Sequence, residues 1–233
     1  ANSALGINAG TFVNNFDRKM KGIGLANWTF IKGWGKPFVG DIQGLPQAMQ
    51  AIDPGLIRYA GGLWANWVGF SRTRNQTTPG AWTANGQTYY YNYGPDELTN
   101  LDAFAKSINA DVMIQVNVSN NDPGMWADLV RYVKERGFTN IKYYELSNEL
   151  DLETFVNRET AITPAVYASR VAAYQQAMLA VDPNIKIVGG VPATLSDIMR
   201  AGYSCCGNQV SAYIMQGLPA ARAAGRDWDT ASY

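Results

Sequence analysis

Histidine is absent from this chain of 233 residues. That excludes a His-activated Ser or Cys nucleophile and any His metal ligand within it, so acid–base work must fall to carboxylates, tyrosine or lysine. Cysteine is nearly absent too, and its two copies, Cys205 and Cys206, are adjacent. Neighbouring Cα atoms lie ~3.8 Å apart, short of the usual disulfide span of about 4.4–6.8 Å. A strained vicinal bridge, two free thiols and partners elsewhere all stay open.

Charge is scarce and balanced, with 16% charged residues and 19 Lys+Arg against 19 Asp+Glu. Without a basic field or basic run, neither nucleic acid nor an anionic membrane is an expected partner, and a neutral substrate fits best. No apolar run approaches the ~20 residues of a membrane span. No G-x-G-x-x-G follows a strand and no phosphate-binding G-x-x-x-x-G-K-[ST] occurs, so no nucleotide cofactor is expected. No Asp/Glu/Cys cluster suggests a metal. Repeats, linkers and low-complexity segments are missing as well.

What remains is a globular composition, 47% hydrophobic, long enough for one domain with a sizeable core. Ala1 opens the chain without Met, Lys or Arg, as after signal-peptide removal. Three sequons, at Asn27, Asn75 and Asn117, join that start in predicting a secreted, extracellular glycoprotein.

From about residue 20, β-like runs alternate with amphipathic stretches. Strands are predicted at Leu56–Ala60, Asp111–Val118, Ile141–Leu146 and Ile185–Gly190, with weaker ones at Gly22–Ala26 and Trp228–Tyr233. These runs are apolar and often β-branched or aromatic, as in strands buried on both faces. Helices are predicted over Asp96–Ala110 and Asp122–Gly137, from Thr163-Pro164 to Asp182-Pro183, and from about Gln209 to Ala224. Asp122 is the expected N-cap of the second, Pro123 its first residue and Gly137 its stop. Such alternation implies α/β architecture with a parallel sheet and helical crossovers, either doubly wound or a barrel.

Gly61–Pro95 reads as a long connection after the second strand, rich in Trp and Tyr. Five of the seven tryptophans fall in this loop and the one after the first strand. On a barrel these loops form the C-terminal face, where active sites sit. A carbohydrate cleft is one reading of these rings, and a mini-core around the loop's own aromatics is the other.

The informative segment is Tyr143-Tyr144-Glu145-Leu146-Ser147-Asn148-Glu149-Leu150, at the end of the fourth strand. It resembles the clan A glycoside hydrolases, whose fourth strand ends in Asn-Glu. The similarity is greatest to the branch of α-L-arabinofuranosidases, β-xylosidases and heparanase-like β-glucuronidases, which read like Trp-Glu-Ile-Gly-Asn-Glu there. Arg58-Tyr59-Ala60-Gly61-Gly62-Leu63-Trp64-Ala65-Asn66 resembles that branch's Arg-Tyr-Pro-Gly-Gly-Asn-Phe, with Ala60 in place of Pro and Leu63 in place of Asn.

The resemblance implies a (β/α)8 TIM barrel, represented here by about six βα units, since a complete one needs roughly 250 residues. Residues 1–20 are then an N-terminal extension, with an accessory β-sandwich as one home for it. Glu149 is implied as the general acid/base of a retaining glycosidase and Asn148 as donor to the sugar 2-hydroxyl. Arg58, Trp64, Asn66, Asn117 and Trp28 are implied as further substrate contacts. For Asn148 and Glu149 both to face the cleft, the strand must end in a turn, because consecutive strand residues point to opposite faces. Glu145, on an apolar strand, needs a partner, and Arg58 is the expected one. That pair is either a support beneath the site or a direct substrate contact.

A retaining mechanism also needs a nucleophilic carboxylate about 5–5.5 Å from the acid. The resemblance puts it on a seventh strand, and Trp228–Tyr233 counts as the sixth. A C-terminal remainder of the same protein is therefore an expected partner beside the carbohydrate, and this chain alone is expected to be inactive. A split enzyme, an incomplete chain and a naturally short dead barrel are the three explanations. A catalytically inactive carbohydrate-binding barrel stays open as the alternative function.

Overall fold

The computed structural model describes residues 22–26, 43–75, 80–149, 162–190 and 209–231. Strand β1 (Gly22–Ala26) precedes helix α1 (Leu45–Ile52) and strand β2 (Leu56–Ala60). A 3-10 turn (Gly62–Asn66) then leads into four short strands: β3 (Val68–Phe70), β4 (Trp82–Ala84), β5 (Gln87–Tyr89) and β6 (Tyr91–Tyr93). Helix α2 (Pro95–Ser107), strand β7 (Asp111–Val116), helix α3 (Pro123–Arg136) and strand β8 (Ile141–Leu146) follow. Helix α4 (Pro164–Val181), strand β9 (Lys186–Gly189), helix α5 (Gln209–Ala223) and strand β10 (Thr230–Ala231) complete the described chain.

Six strands make one sheet in the order β1-β2-β7-β8-β9-β10, and every neighbouring pair is parallel. Each strand thus pairs with the next one built into the sheet. Among the described strands there is no reversal of order, the feature that defines a doubly wound sheet. Right-handed crossovers that always advance in one direction keep their helices on one face, and α3 packs on α4 as α4 packs on α5.

Register sorts the strand residues by face. Ile57 and Tyr59, Val112, Ile114 and Val116, Tyr144 and Leu146, and Ile187 are buried on the helical side, where Tyr59 meets Glu97 of α2. Each fully buried side chain of this size contributes roughly 1.5–3 kcal/mol, so this face holds the sheet to its helices. The alternate positions carry Arg58, Gln115 and Glu145, a polar group on the other face.

Helix α3 is punctuated as its sequence predicts. The Asp122 side chain accepts from Met125 N at 3.2 Å, and Gly137 closes the helix at φ 66°. In α4 the Thr163 side chain accepts from Val166 N at 3.3 Å. Strand β7 stops at Val116, two residues before the predicted end, and the Asn117 side chain bonds backbone groups of β3 and of the following loop, at Val68 and Asn120.

The described residues of the predicted long connection form an insertion with strands of its own. Strands β3 and β6 pair in parallel, and β4–β5 is a hairpin. Its Asn85-Gly86 turn has both residues at positive φ, 51° and 75°, as a type I′ turn requires. Phe70, Tyr89 and Tyr93 are buried beneath it, Tyr93 edge-on to Trp126 of α3 at 5.9 Å. Gly69 has no room for a side chain: a Cβ there would stand 2.7 Å from the rings of Trp82 and Tyr89. Asp122 ties the hairpin down, accepting from Asn85 Nδ2 at 2.9 Å and Tyr89 Oη at 3.1 Å.

Candidate active site

Asn148 and Glu149 stand at the C-terminal end of β8, where the strand gives way to a turn. Ser147 takes φ 88° and Glu149 φ 44°, both in the left-handed region that favours glycine. Ser147 N donates to Val116 O at 2.9 Å and Glu145 O at 3.0 Å, holding the turn against β7. The break in strand geometry lets Asn148 and Glu149 share one side, with Asn148 Nδ2 3.4 Å from Glu149 Oε2.

The Asn148 amide is fixed by two donors from two other strands. Its Oδ1 accepts from Arg58 Nη2 at 2.9 Å and from Gln115 Nε2 at 3.0 Å. With the oxygen engaged below, the –NH2 faces Glu149. Its backbone is held equally firmly, since Asn66 Nδ2 donates to Asn148 O at 2.8 Å and Asn148 N to Asn66 Oδ1 at 3.4 Å. Gln115 completes the cradle: its Oε1 accepts Gly61 N at 2.8 Å, and Tyr93 Oη donates to its carbonyl at 3.0 Å.

Beneath this lies the expected pair. Arg58 Nε and Nη2 donate to Glu145 Oε2 and Oε1 at 2.7 and 2.9 Å. The Glu145 side chain is 1% exposed and that of Arg58 30% exposed, so the carboxylate is enclosed while the arginine side chain stays partly exposed. On the far flank, the Tyr167 hydroxyl of α4 is shared between the carbonyls of Leu146 and Gly190, each 3.2 Å away. Burial pushes the Tyr167 and Tyr93 hydroxyls well up, so both remain neutral hydrogen-bonding groups.

Of the residues singled out in the sequence, Arg58, Asn66, Asn148 and Glu149 converge. Asn117 takes another position: it is fully buried, its amide donating to Val68 O at 3.0 Å and accepting from Asn120 N at 3.3 Å. It brackets the insertion to the end of β7. A glycan on this sequon is incompatible with that burial. Trp28 and the side chain of Trp64 lie outside the described residues, as do Cys205, Cys206 and residues 1–20.

Gln115 escaped the sequence reading. Its only signal is a polar side chain in the apolar run Asp111–Val118, at the same alternation as Arg58 and Glu145 on their strands.

Chemically, the site offers one half-buried carboxyl, Glu149, beside a donor aimed at the same space. A bound hydroxylated ligand would meet both at once. Among the described residues no group of three His, Cys, Asp or Glu side chains could hold a metal ion. No described helix is long and apolar enough to cross a membrane.

No family model matches the sequence, and no curated protein sequence matches it. Solved structures resemble its fold, among them family 51 arabinofuranosidases and family 44 glycoside hydrolases of the clan A TIM-barrel type. A family 51 α-L-arabinofuranosidase from Bifidobacterium longum superimposes with a TM-score of 0.56 at 16% identity, over 81% of this chain and 37% of that one. A family 44 xyloglucanase from Paenibacillus polymyxa, solved with xyloglucan, gives 0.56 at 10% identity over 92% and 50%. A family 44 endoglucanase from Clostridium thermocellum gives 0.51 at 16% identity over 77% and 48%. At such identities the likeness is one of fold. This chain spans between about a third and a half of these neighbours' lengths.

Proposed function

We propose that this chain is the N-terminal portion of the catalytic (β/α)8 barrel of a retaining glycoside hydrolase, with Glu149 as general acid/base. One observation carries the reading. Three adjacent strands, β2, β7 and β8, deliver Arg58, Gln115, Asn148 and Glu149 to one place at their C-terminal ends, the end of a barrel where active sites form. The fold neighbours, an arabinofuranosidase, a xyloglucanase and an endoglucanase, support a carbohydrate substrate.

In this reading Glu149 gives its proton to the leaving glycosidic oxygen as an oxocarbenium-like centre forms, then takes a proton from the attacking water. Asn148 Nδ2 donates to the sugar 2-hydroxyl, a bond that strengthens in the transition state. Because Arg58 and Gln115 fix the amide's orientation beforehand, no reorganisation is needed at that moment. The mechanism also needs a nucleophilic carboxylate about 5–5.5 Å from Glu149 across the sugar.

Glu149→Gln in the complete enzyme tests the assignment. Hydrolysis of glycosides with poor leaving groups should fall by about 10²–10⁴-fold, while the first step on activated aryl glycosides should barely change. Equal loss on both classes rejects Glu149 as the acid. Absence of turnover in the unaltered complete protein, with saccharide binding retained, supports the inactive binding barrel instead. Secretion belongs to the same proposal, with Asn27 and Asn75 as its glycan acceptors and Asn117 bare, which glycopeptide mass analysis of the natural protein reads directly.

A further inference from the structure

Beyond the last paired residues of β8 and β9, Leu146 and Gly189, the two chains stay in contact. A Cβ on Gly190 would stand 2.2 Å from Leu146 O and 2.9 Å from Ser147 O, so the end of β9 lies directly against the turn that carries Glu149. Two backbone carbonyls, of Leu146 and Gly190, meet there where the ladder has ended, and buried acceptors need a donor. The Tyr167 hydroxyl of α4 supplies it, 3.2 Å from each oxygen. Packing holds this tyrosine in place. It is buried, its ring is edge-on to Tyr213 of α5 at 5.5 Å, and a Cβ on Gly217 of the same helix would stand 3.1 Å from it.

The opposite flank of the turn is gripped from β7 and from the chain after β2. Ser147 N donates to Val116 O, Asn66 exchanges two hydrogen bonds with the Asn148 backbone, and Arg58 and Gln115 hold the Asn148 side chain. Those bonds secure Asn148. Glu149 stands one residue farther along, at φ 44°, and takes its position from the backbone that leads to it. A turn tied to β7 and released from β9 pivots about Asn148, so the displacement falls on Glu149. We propose that Tyr167 is a positioning residue for Glu149, bridging Leu146 and Gly190 so that the carboxyl is held where it meets the leaving oxygen. This rests on the glycosidase reading and adds to it a helix residue that never touches the substrate. Misplacement of a reacting group by about 1 Å costs about a hundredfold in rate, so a single buried hydroxyl has this much to control.

The test uses the complete protein and its Tyr167→Phe variant, which loses the hydroxyl and keeps the ring. Tyr174→Phe is the control: about two turns along the same helix, the buried Tyr174 hydroxyl also donates to a backbone carbonyl, that of Asn120 after β7. Substrates are methyl glycosides, whose leaving group needs the proton, and dinitrophenyl glycosides, whose leaving group does not, of arabinofuranose, xylose and glucose. In Tyr167→Phe, kcat/KM on the methyl glycoside should fall about tenfold to a hundredfold, and on the dinitrophenyl glycoside far less. In Tyr174→Phe the ratio of the two should match that of the unaltered protein, even as a thermal melt shows both variants destabilised. Gly190→Ala reaches the same bridge by a second route, keeping the hydroxyl and forcing the carbonyls apart, and should split the substrates as Tyr167→Phe does. An equal fall on both substrates in these two variants, or no fall, overturns the positioning role, while a split in Glu149→Gln still upholds the acid. A complete protein without turnover overturns the glycosidase reading and this role with it.

Discussion

Arg58 reaches across β7 to Glu145 and holds it by two hydrogen bonds of 2.7 and 2.9 Å. The pair spans the three strands of the site, and its carboxylate is 1% exposed. Removing one partner of such a pair strands a buried charge, which costs about 3–5 kcal/mol. Arg58→Ala should therefore lower unfolding free energy by about 3 kcal/mol in a urea titration. Replacing both residues, Arg58→Met with Glu145→Met, should cost much less than Arg58→Ala alone. A loss below about 1 kcal/mol in the single variant would mean that the pair is not enclosed in solution.

Gln115 joins Arg58 on the same Asn148 oxygen, which under the proposed function makes it a positioning residue for the amide that would donate to a sugar 2-hydroxyl. Gln115→Met keeps the volume and removes both hydrogen bonds. In the complete enzyme kcat/KM on an ordinary glycoside should fall roughly tenfold to a hundredfold. On the corresponding 2-deoxyglycoside, which has no 2-hydroxyl to orient, the fall should be several-fold smaller. An identical fall on both substrates would place the effect in the fold rather than in Asn148.

Glu97 gives the fold a pH dependence. It is buried in the first turn of α2, accepts the Tyr59 hydroxyl, and its Oε2 has no partner among the described residues. Burial, opposed by the bonds from Tyr59 and Gly94, raises its carboxyl from 4.5 to about 8. Between those values the unfolded chain releases the proton and the folded chain keeps it. Stability is therefore fully present below about 4.5 and lost as pH rises through about 8. Glu97→Gln should flatten this dependence, so that its Tm gains on that of the unaltered protein as pH rises through the window. Parallel Tm–pH curves for the two proteins would remove Glu97 as the cause.

How legible each element was follows from its length and punctuation. Helix α3 carries Asp122, Pro123 and Gly137 at its ends and a regular apolar stripe, and its caps stand as predicted. Helix α1, eight residues between Gly44 and Asp53, has no side-chain cap to announce it. The insertion's strands are three residues each, too short for alternation to show. At the site, Arg58 and Glu145 were legible as a pair because a buried carboxylate demands a cation. Asn117 and Gln115 were not separable by sequence. Both are polar residues on β7 or at its end, two positions apart, and the neighbouring loops decide that one supports Asn148 while the other brackets the insertion.

Ser147 stands where the resembling Trp-Glu-Ile-Gly-Asn-Glu motif reads Gly, and its φ of 88° lies in the left-handed region that favours glycine. A non-glycine residue in the left-handed region costs about 1–2 kcal/mol. Its buried hydroxyl also lacks a hydrogen-bond partner among the described residues, a further cost of about 1–3 kcal/mol. Glycine would return part of this through its greater freedom in the unfolded chain, about 0.5–1 kcal/mol. The balance favours Ser147→Gly by about 1 kcal/mol or more, or about 2–4 °C in Tm for a domain of this size. Scanning calorimetry of the two proteins at one pH checks it. Ser147→Ala separates the two contributions, since it removes the hydroxyl but keeps the strained backbone, and it should recover only part of the gain. A lower Tm for Ser147→Gly would show that the serine hydroxyl holds the turn beneath Asn148 and Glu149, and the strain account would then be wrong.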